Sequence, residues 1–324
     1  MTKVDILSAG GLPKKTKETL AELFTVHRLD HDAPLASLGP RLASIRGMAR
    51  GGHFDVPRSL MVELPKLEIV ANFGVGYDGI DLACAAERGI VVTNTPDVLT
   101  EEVADTALGL LLMTVRELSA AERHLRDGKW TKANYPLTAG TMRDRTVGIV
   151  GLGRIGLAIA RRLDAMGVPV VYHTRNKRDD VAYRYYADLH AMAADVDTLM
   201  VVLPGNATTR NLIDASVLKA LGSRGVLVNI GRGIVVDEPA LAAALRDKVI
   251  HAAGLDVFAD EPNVPAELMA LPNAVLLPHV GSASVHTRDG MGQLVVDNLA
   301  GWFEKGAPIT PVPETPWPGG RAQG

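Results

Sequence analysis

The sequence predicts an α/β protein built from two parallel-sheet domains, and three observations carry that expectation. Apolar, β-rich bursts alternate with helical stretches through most of the 324 residues, and such alternation implies a parallel sheet covered by helices. The alternation breaks once, at a long amphipathic stretch after residue 99, and then resumes as a second series. The length agrees with about two domains.

In the first series, "VDILS", "FTVHRL", "RGMARG", "EIVANFG" and "IVVTN" read as strands, with "KKTKETLAELF" and "DLACAAERG" among the helical segments between them. Thr100 to about Asp127 reads as one long helix at the junction. Thr100 suits its cap, and Glu101, Glu102 and Asp105 favour its positive end. Val103, Ala107, Leu110, Leu111, Thr114 and Leu118 give it an apolar stripe. The second series runs through "RTVGIVG", "VPVVYH", "DTLMVVLP", "GVLVNIG", "HAAGLDV" and "AVLLPH", and a last helix spans about Ser284 to Lys305. The tail "APITPVPETPWPGGRAQG" is rich in Pro and Gly, which predicts an extended or disordered end.

Composition narrows the partners. Hydrophobic residues make up 47% and charged residues 22%, ordinary values for a globular chain. The formal net charge of −3 provides no bulk attraction for nucleic acid or acidic membranes. The one cysteine, Cys84, excludes an intrachain disulfide and fits a reducing compartment; its expected role is packing. "MTKVDILSAG" lacks a signal peptide's apolar run, and runs such as "LGLLLM" fall far short of a membrane span. The reading is a soluble, cytoplasmic protein. No His/Cys/Asp cluster has zinc-ligand spacing, so no metal site is expected.

"TVGIVGLGRIGLAIARRL" places Gly151-x-Gly153-x-x-Gly156 after a β-branched strand and at the start of an apolar-striped helix. A lone glycine pattern is weak; this context is what dinucleotide binding demands. Gly151 permits the tight turn, Gly153 lets the backbone approach a pyrophosphate, and Gly156 allows close helix–strand packing, while the helix-start N–H groups face the anion. The plainer alternative is a glycine-rich turn with no ligand. An acidic residue is expected about 20 residues on, to hold the ribose hydroxyls. Here "HTRNKRDD" supplies none before Asp179. A carboxylate there would repel a 2′-phosphate, whereas Arg175 offers paired charge-assisted bonds, with Thr174 and Asn176 as neutral donors. Lys177 and Arg178 would add longer-range attraction. The expected cofactor is therefore NADP(H) in preference to NAD(H), against the alternative of a merely solvated basic turn.

Three later segments, "VLVNIGRGIVVDEPAL", "AAGLDVFADEP" and "AVLLPHVGSAS", each follow a strand with an ionisable residue: Arg232, Glu261 and His279. Ligands of open parallel sheets sit outside the carboxyl ends of the strands. Any one of these residues alone would more often be structural; three in successive post-strand loops point to a site.

Together these segments resemble the D-isomer-specific 2-hydroxyacid dehydrogenases. "GIVGLGRIG", "LVNIGRGIVVDE", "GLDVFADEP" and "LLPHVGSAS" match that family's pattern in order, and "NFGVGYDGID" and "TEEVADTALGLLL" match its other half. "GKWTKANYPLTAGTMRDRTVGIVGLGRIG" looks most like the glyoxylate, hydroxypyruvate and hydroxyphenylpyruvate reductases. The resemblance covers about residues 40 to 305. It implies two Rossmann-like or flavodoxin-like domains, with a discontinuous substrate-binding domain at 1–99 and 287–324, a dinucleotide-binding domain at 100–286, the active site in the cleft between them, and a homodimer made largely by the cofactor domains.

It also implies residue roles. His279 would protonate the carbonyl oxygen, Glu261 would hydrogen-bond and support the imidazole, and Arg232 would hold the 2-oxo acid by its carboxylate and carbonyl. The N–H groups near Val75 and Gly76 would grip the substrate carboxylate; a plain strand-to-helix turn is the alternative there. Gly52, in the "RGGH" loop from Arg50 to His53, would face the substrate, although a Ser-Asn-like pair is expected where Gly52 and His53 stand. The implied cofactor set comprises Thr106, Gly151, Leu152, Gly153, Arg154, Ile155, Gly156, His173, Thr174, Arg175, Asn176, Leu203, Pro204, Thr209, Ile230, Gly231, Asp256 beside the nicotinamide amide, Gly281 and Ser282. Trp130 is read as dimer-interface packing, with reach into a neighbouring subunit's cleft as the alternative. The expected activity is reduction of a small 2-oxo acid to the D-2-hydroxy acid. The alternatives are an NAD-dependent dehydrogenase of another substrate class, such as phosphoglycerate, and a non-catalytic dinucleotide-sensing protein.

Overall fold

The computed structural model describes residues 3–29, 34–52, 54–315 and 317. The chain divides into two compact units, Met1–Leu99 with Ser284–Gly324, and Thr100–Ala283.

In the first unit, β1 (Asp5–Ala9), β2 (Thr25–Leu29), β3 (Gly47–Arg50), β4 (Ile69–Asn72) and β5 (Val91–Thr93) form one sheet of order β2-β1-β3-β4-β5, all pairs parallel. That is the flavodoxin-like order, with its switch point between β1 and β3. Helices α1 (Lys14–Leu23), α2 (Arg58–Val62) and α3 (Leu82–Glu87) belong to the connections. β3, β4 and β5 are buried along their length, as expected of strands covered on both faces. Leu7, Met48, Val70 and Val92 from the sheet meet Ile45, Leu64 and Ile90 in the core. Cys84 is wholly buried among them, the packing role expected for it.

The second unit opens with α4 (Thr100–Val115) and α5 (Leu118–Arg126), so the single long helix of the sequence reading is two. Glu117 between them is left-handed, with φ 53. The physical reason lies in the stripe: Val103, Ala107, Leu110, Leu111 and Thr114 are buried, but no residue of α5 is. Past Val115 there is no core for the helix to follow, and helices in proteins are held mainly by such packing. There follow β6 (Val147–Val150), α6 (Arg154–Ala165), β7 (Val170–His173), β8 (Arg184–Tyr185), α7 (Leu189–Asp195), β9 (Thr198–Val201), α8 (Ala215–Leu221), β10 (Val226–Asn229), α9 (Glu238–Arg246), β11 (Ala252–Leu255), α10 (Ala266–Ala270) and β12 (Ala274–Leu276). The sheet order is β12-β11-β10-β9-β6-β7-β8, parallel throughout. This is the doubly wound dinucleotide-binding order with one strand added beyond the sixth. The two-residue β8 is too short to be read from the sequence.

The chain then returns to the first unit through α11 (Val285–Lys305), capped by the Ser284 hydroxyl, which accepts from the Thr287 N–H at 3.1 Å. The change of unit at Ser284 comes three residues before the expected 287. Of the two forms expected of the tail, extended or disordered, the described residues take the extended one, and they are docked as well. Pro311 bridges antiparallel to Thr93, the Val312 N–H donates to the Val92 carbonyl at 2.9 Å, and the Val92 N–H donates to the Thr315 hydroxyl at 2.9 Å. Val312 joins the core. The tail is therefore extended and docked as far as Thr315. His53, Pro316 and residues 318–324 lie outside the described residues.

Candidate active site

Strand register brings the expected site residues of the second unit to one edge. Val150 aligns with His173 and with Val201, Val201 with Asn229, Asn229 with Leu255, and Leu255 with Leu276. The carboxyl ends of β7, β6, β9, β10, β11 and β12 are thus level, and the loops that follow them all leave from the same edge.

After β6, Gly151 has φ 102, a conformation L side chains rarely adopt. A Cβ at Gly156 would lie 2.2 Å from the Gly151 carbonyl oxygen, so α6 approaches the turn as closely as only glycine allows. A Cβ at Gly153 would meet nothing within 4 Å. Gly153 is the N-cap of α6 and provides no side-chain cap, whereas Asp188, Asp214 and Asp237 cap α7, α8 and α9 with their carboxylates. Open space beside an uncapped helix start suits a phosphate group; the residues present fit a dinucleotide. Leu152 is buried, Ile155 half-buried and Arg154 exposed.

In the turn after β7, Arg175 and Asn176 are exposed, and the Thr174 hydroxyl donates to the Asn176 carbonyl at 2.6 Å. The His173 Nδ1–H donates to the Tyr186 carbonyl at 2.9 Å. Arg178 behaves differently from the long-range attraction expected of it. Its Nε donates to Asp180 at 2.8 Å, and its guanidinium also pairs with the second Asp180 oxygen and donates to the Leu152 carbonyl. Its charge is locally neutralised, and the side chain ties the turn after β7 to the glycine loop. After β9, the Thr209 hydroxyl donates to the Pro204 carbonyl at 2.8 Å, closing the loop that follows Leu203.

After β10, Asn229 organises the Arg232 turn: its Oδ1 accepts from the Gly231 N–H at 3.1 Å and its Nδ2 donates to the Arg232 carbonyl at 2.9 Å. Ile230 is buried. Arg232 Nη1 donates to the Gly231 carbonyl at 2.9 Å. After β11 and β12, Glu261 and His279 meet directly. The His279 Nδ1–H donates to Glu261 Oε2 at 2.6 Å, and the other carboxylate oxygen accepts the Phe258 N–H at 2.9 Å. His279 has φ 52, a left-handed backbone that costs about 1–2 kcal/mol. Asp256 holds it there. Its carbonyl accepts the His279 N–H at 2.9 Å, and its carboxylate accepts the Val280 and Gly281 N–H groups, each at 2.8 Å. Burial pushes the Asp256 carboxyl up, against the pull of those two donors. The Thr106 hydroxyl donates to the Gly281 carbonyl at 3.2 Å, beside half-buried Ser282. Sequence reasoning missed Asn229 and Glu238. Glu238 accepts the Ala259 N–H at 2.7 Å and so steadies the loop that carries Glu261.

In the first unit, exposed Gly52 follows β3 with φ 57, and Val75 and Gly76 follow β4, half-buried.

The description "D-isomer specific 2-hydroxyacid dehydrogenase, NAD binding domain" matches residues 108–281. The glyoxylate/hydroxypyruvate reductase A of Arabidopsis thaliana is 48% identical over 269 residues, covering 83% of this chain and 86% of that protein. The 2-ketogluconate reductase of Gluconobacter oxydans is 42% identical over 311 residues, 96% and 99% of the two chains. Among solved structures, the NADPH-dependent glyoxylate/hydroxypyruvate reductase of Sinorhizobium meliloti, in complex with NADP and malonate, is 53% identical with a TM-score of 0.94, covering 98% of each chain. By the motifs, the fold and these likenesses, the chain belongs to the D-isomer-specific 2-hydroxyacid dehydrogenase family.

Proposed function

We propose that this protein is an NADP(H)-preferring reductase that converts small 2-oxo acids, of the glyoxylate or hydroxypyruvate class, into D-2-hydroxy acids; NAD(H) is a weaker cofactor. The observation that carries the reading is the Glu261–His279 pair at 2.6 Å, on the same sheet edge as Arg232.

A bound reduced nicotinamide supplies hydride to the substrate carbonyl carbon. Arg232 binds the substrate's carboxylate and carbonyl oxygen with its planar fork of donors. His279 gives the proton on Nε2 to that oxygen as it becomes a hydroxyl, and Glu261 keeps the ring oriented and supports its cationic form. Asp256 sets the backbone from His279 to Gly281. The N–H groups of Val75 and Gly76 take the substrate carboxylate. The α6 start holds the pyrophosphate, and Thr174, Arg175 and Asn176 hold the 2′-phosphate. Support for NADP(H) comes from that acid-free turn and from the NADP complex of the Sinorhizobium relative. The Gluconobacter relative makes a sugar-derived 2-oxo acid the second candidate substrate. The same reading takes the protein as a cytoplasmic homodimer without nucleic-acid or membrane partners; no helix among the described residues is long and apolar enough to cross a membrane.

Steady-state rates with glyoxylate, hydroxypyruvate, 4-hydroxyphenylpyruvate and 2-ketogluconate, each with NADPH and NADH, test the assignment. His279→Ala is expected to lower kcat by about 10²- to 10⁴-fold while NADPH still binds; near-normal turnover removes His279 from the mechanism. Absence of NADPH oxidation with every acid, together with tight peptide binding, moves the protein to the sensing class.

A further inference from the structure

Arg50 and Asn72 are the last residues of β3 and β4 and are register partners across the parallel ladder, which places both side chains on one face of the sheet. They are 5% and 1% exposed. A buried guanidinium and a buried carboxamide are tolerated only when their hydrogen bonds are made, and these are. Arg50 donates through Nη1 to Asn72 Oδ1 and through Nε to the Phe54 carbonyl at 2.6 Å. Asn72 Nδ2 then donates to the carbonyls of both Gly74 and Gly76, each at 3.0 Å. Asn94 Nδ2 takes the carbonyl between them, that of Val75, at 2.9 Å, and the Gly74 N–H donates to the Thr95 hydroxyl at 3.1 Å.

Three consecutive carbonyls of this loop are therefore held by two asparagine side chains. The N–H groups of Val75 and Gly76 donate to no protein acceptor among the described residues. A carboxylate is attracted by such a donor pair and repelled by carbonyl oxygens, so holding the carbonyls on the carboxamides makes the loop an anion site. We propose that Asn72, oriented by Arg50 and assisted by Asn94, is the positioning residue of the substrate-carboxylate grip, and that Arg50 ties the Phe54 carbonyl to the loop that follows β4. This rests on the reading of Val75 and Gly76 as carboxylate donors.

The test measures kcat and KM for glyoxylate and hydroxypyruvate, inhibition by oxamate, the NADPH dissociation constant and thermal unfolding, for the unaltered protein and for Asn72→Ala, Asn94→Ala and Arg50→Lys. In Asn72→Ala, KM and the oxamate inhibition constant are expected to rise together by about 10- to 100-fold, with kcat within about threefold and NADPH binding unchanged. Asn94→Ala is expected to change the same two constants in the same direction by less, and it decides the matter if Asn72→Ala does not fold. Arg50→Lys keeps the charge but loses the fork, and is expected to fall between the unaltered protein and Asn72→Ala. The proposal is overturned if folded Asn72→Ala, or Asn94→Ala in its place, keeps both constants, or if kcat and NADPH affinity fall by as much as KM rises. Failure of the unaltered protein to reduce any 2-oxo acid or to bind oxamate would instead sink the functional reading beneath it.

Discussion

At Arg175 the guanidinium is exposed to solvent, while three residues on Arg178 is bound by Asp180 and by the glycine loop. Two arginines of one turn thus do different work, and substitution separates them. Arg175→Ala should lower the preference for NADPH over NADH by about 10- to 100-fold, the value of a charge-assisted bond to phosphate. Arg178→Ala should weaken both cofactors together, because it loosens the Leu152 backbone they share. Dissociation constants for the two cofactors check this; an unchanged ratio in Arg175→Ala removes it from the 2′-phosphate site. Arg232, Glu261 and His279 were legible because each follows a strand and carries a charge or a proton. Asn229, Glu238 and the locking of Asp256 onto the His279 turn were not. Their partners are backbone groups, which a sequence displays identically at every position.

Helix starts and helix ends show the same division one level up. The glycine spacing announced α6, yet the three glycines serve separate constraints that only packing distinguishes. Gly156→Ala would drive a methyl into the Gly151 carbonyl and should destabilise the fold by about 1–3 kcal/mol. Gly153→Ala meets nothing in the protein and should leave stability nearly unchanged while weakening NADPH. Denaturant unfolding beside NADPH titration reads both; equal destabilisation by the two substitutions would mean that Gly153 is needed by the fold and not by a ligand. The break at Glu117 was illegible for a related reason. The i, i+3, i+4 pattern continues to Leu118, and only the absence of a core beneath α5 ends the helix.

On the scale of the whole molecule, that absence leaves a surface. Leu125 is 56% exposed, Trp130 62% and Leu137 100%. The segment carrying the last two is folded back on α5: His124 Nε2–H donates to the Ala133 carbonyl at 3.0 Å, and the Tyr135 hydroxyl donates to Glu117 at 2.8 Å. Exposed apolar side chains on a folded segment suit the centre of a protein interface, the place where the proposed homodimer would pack. Sedimentation velocity of Leu125→Glu/Trp130→Glu should give half the mass of the unaltered protein, with the melting transition lowered. An unaltered protein that sediments as a monomer, or a double variant that stays dimeric, would place the interface elsewhere or nowhere.

The sequence by itself determined the alternation of strands and helices, the dinucleotide turn, the missing ribose acid and the trio of Arg, Glu and His, because those features are local: periodicity, glycine spacing and charge are visible within a few residues. Only the tertiary structure decided that the strand ends are level, that Glu261 and His279 touch across 18 residues, that the Pro-rich tail docks on β5, and that Arg50 reaches the Gly74–Gly76 loop through Asn72. Each of these is a pairing between distant segments. Its energy depends on register and burial, which a chain acquires when its parts have packed.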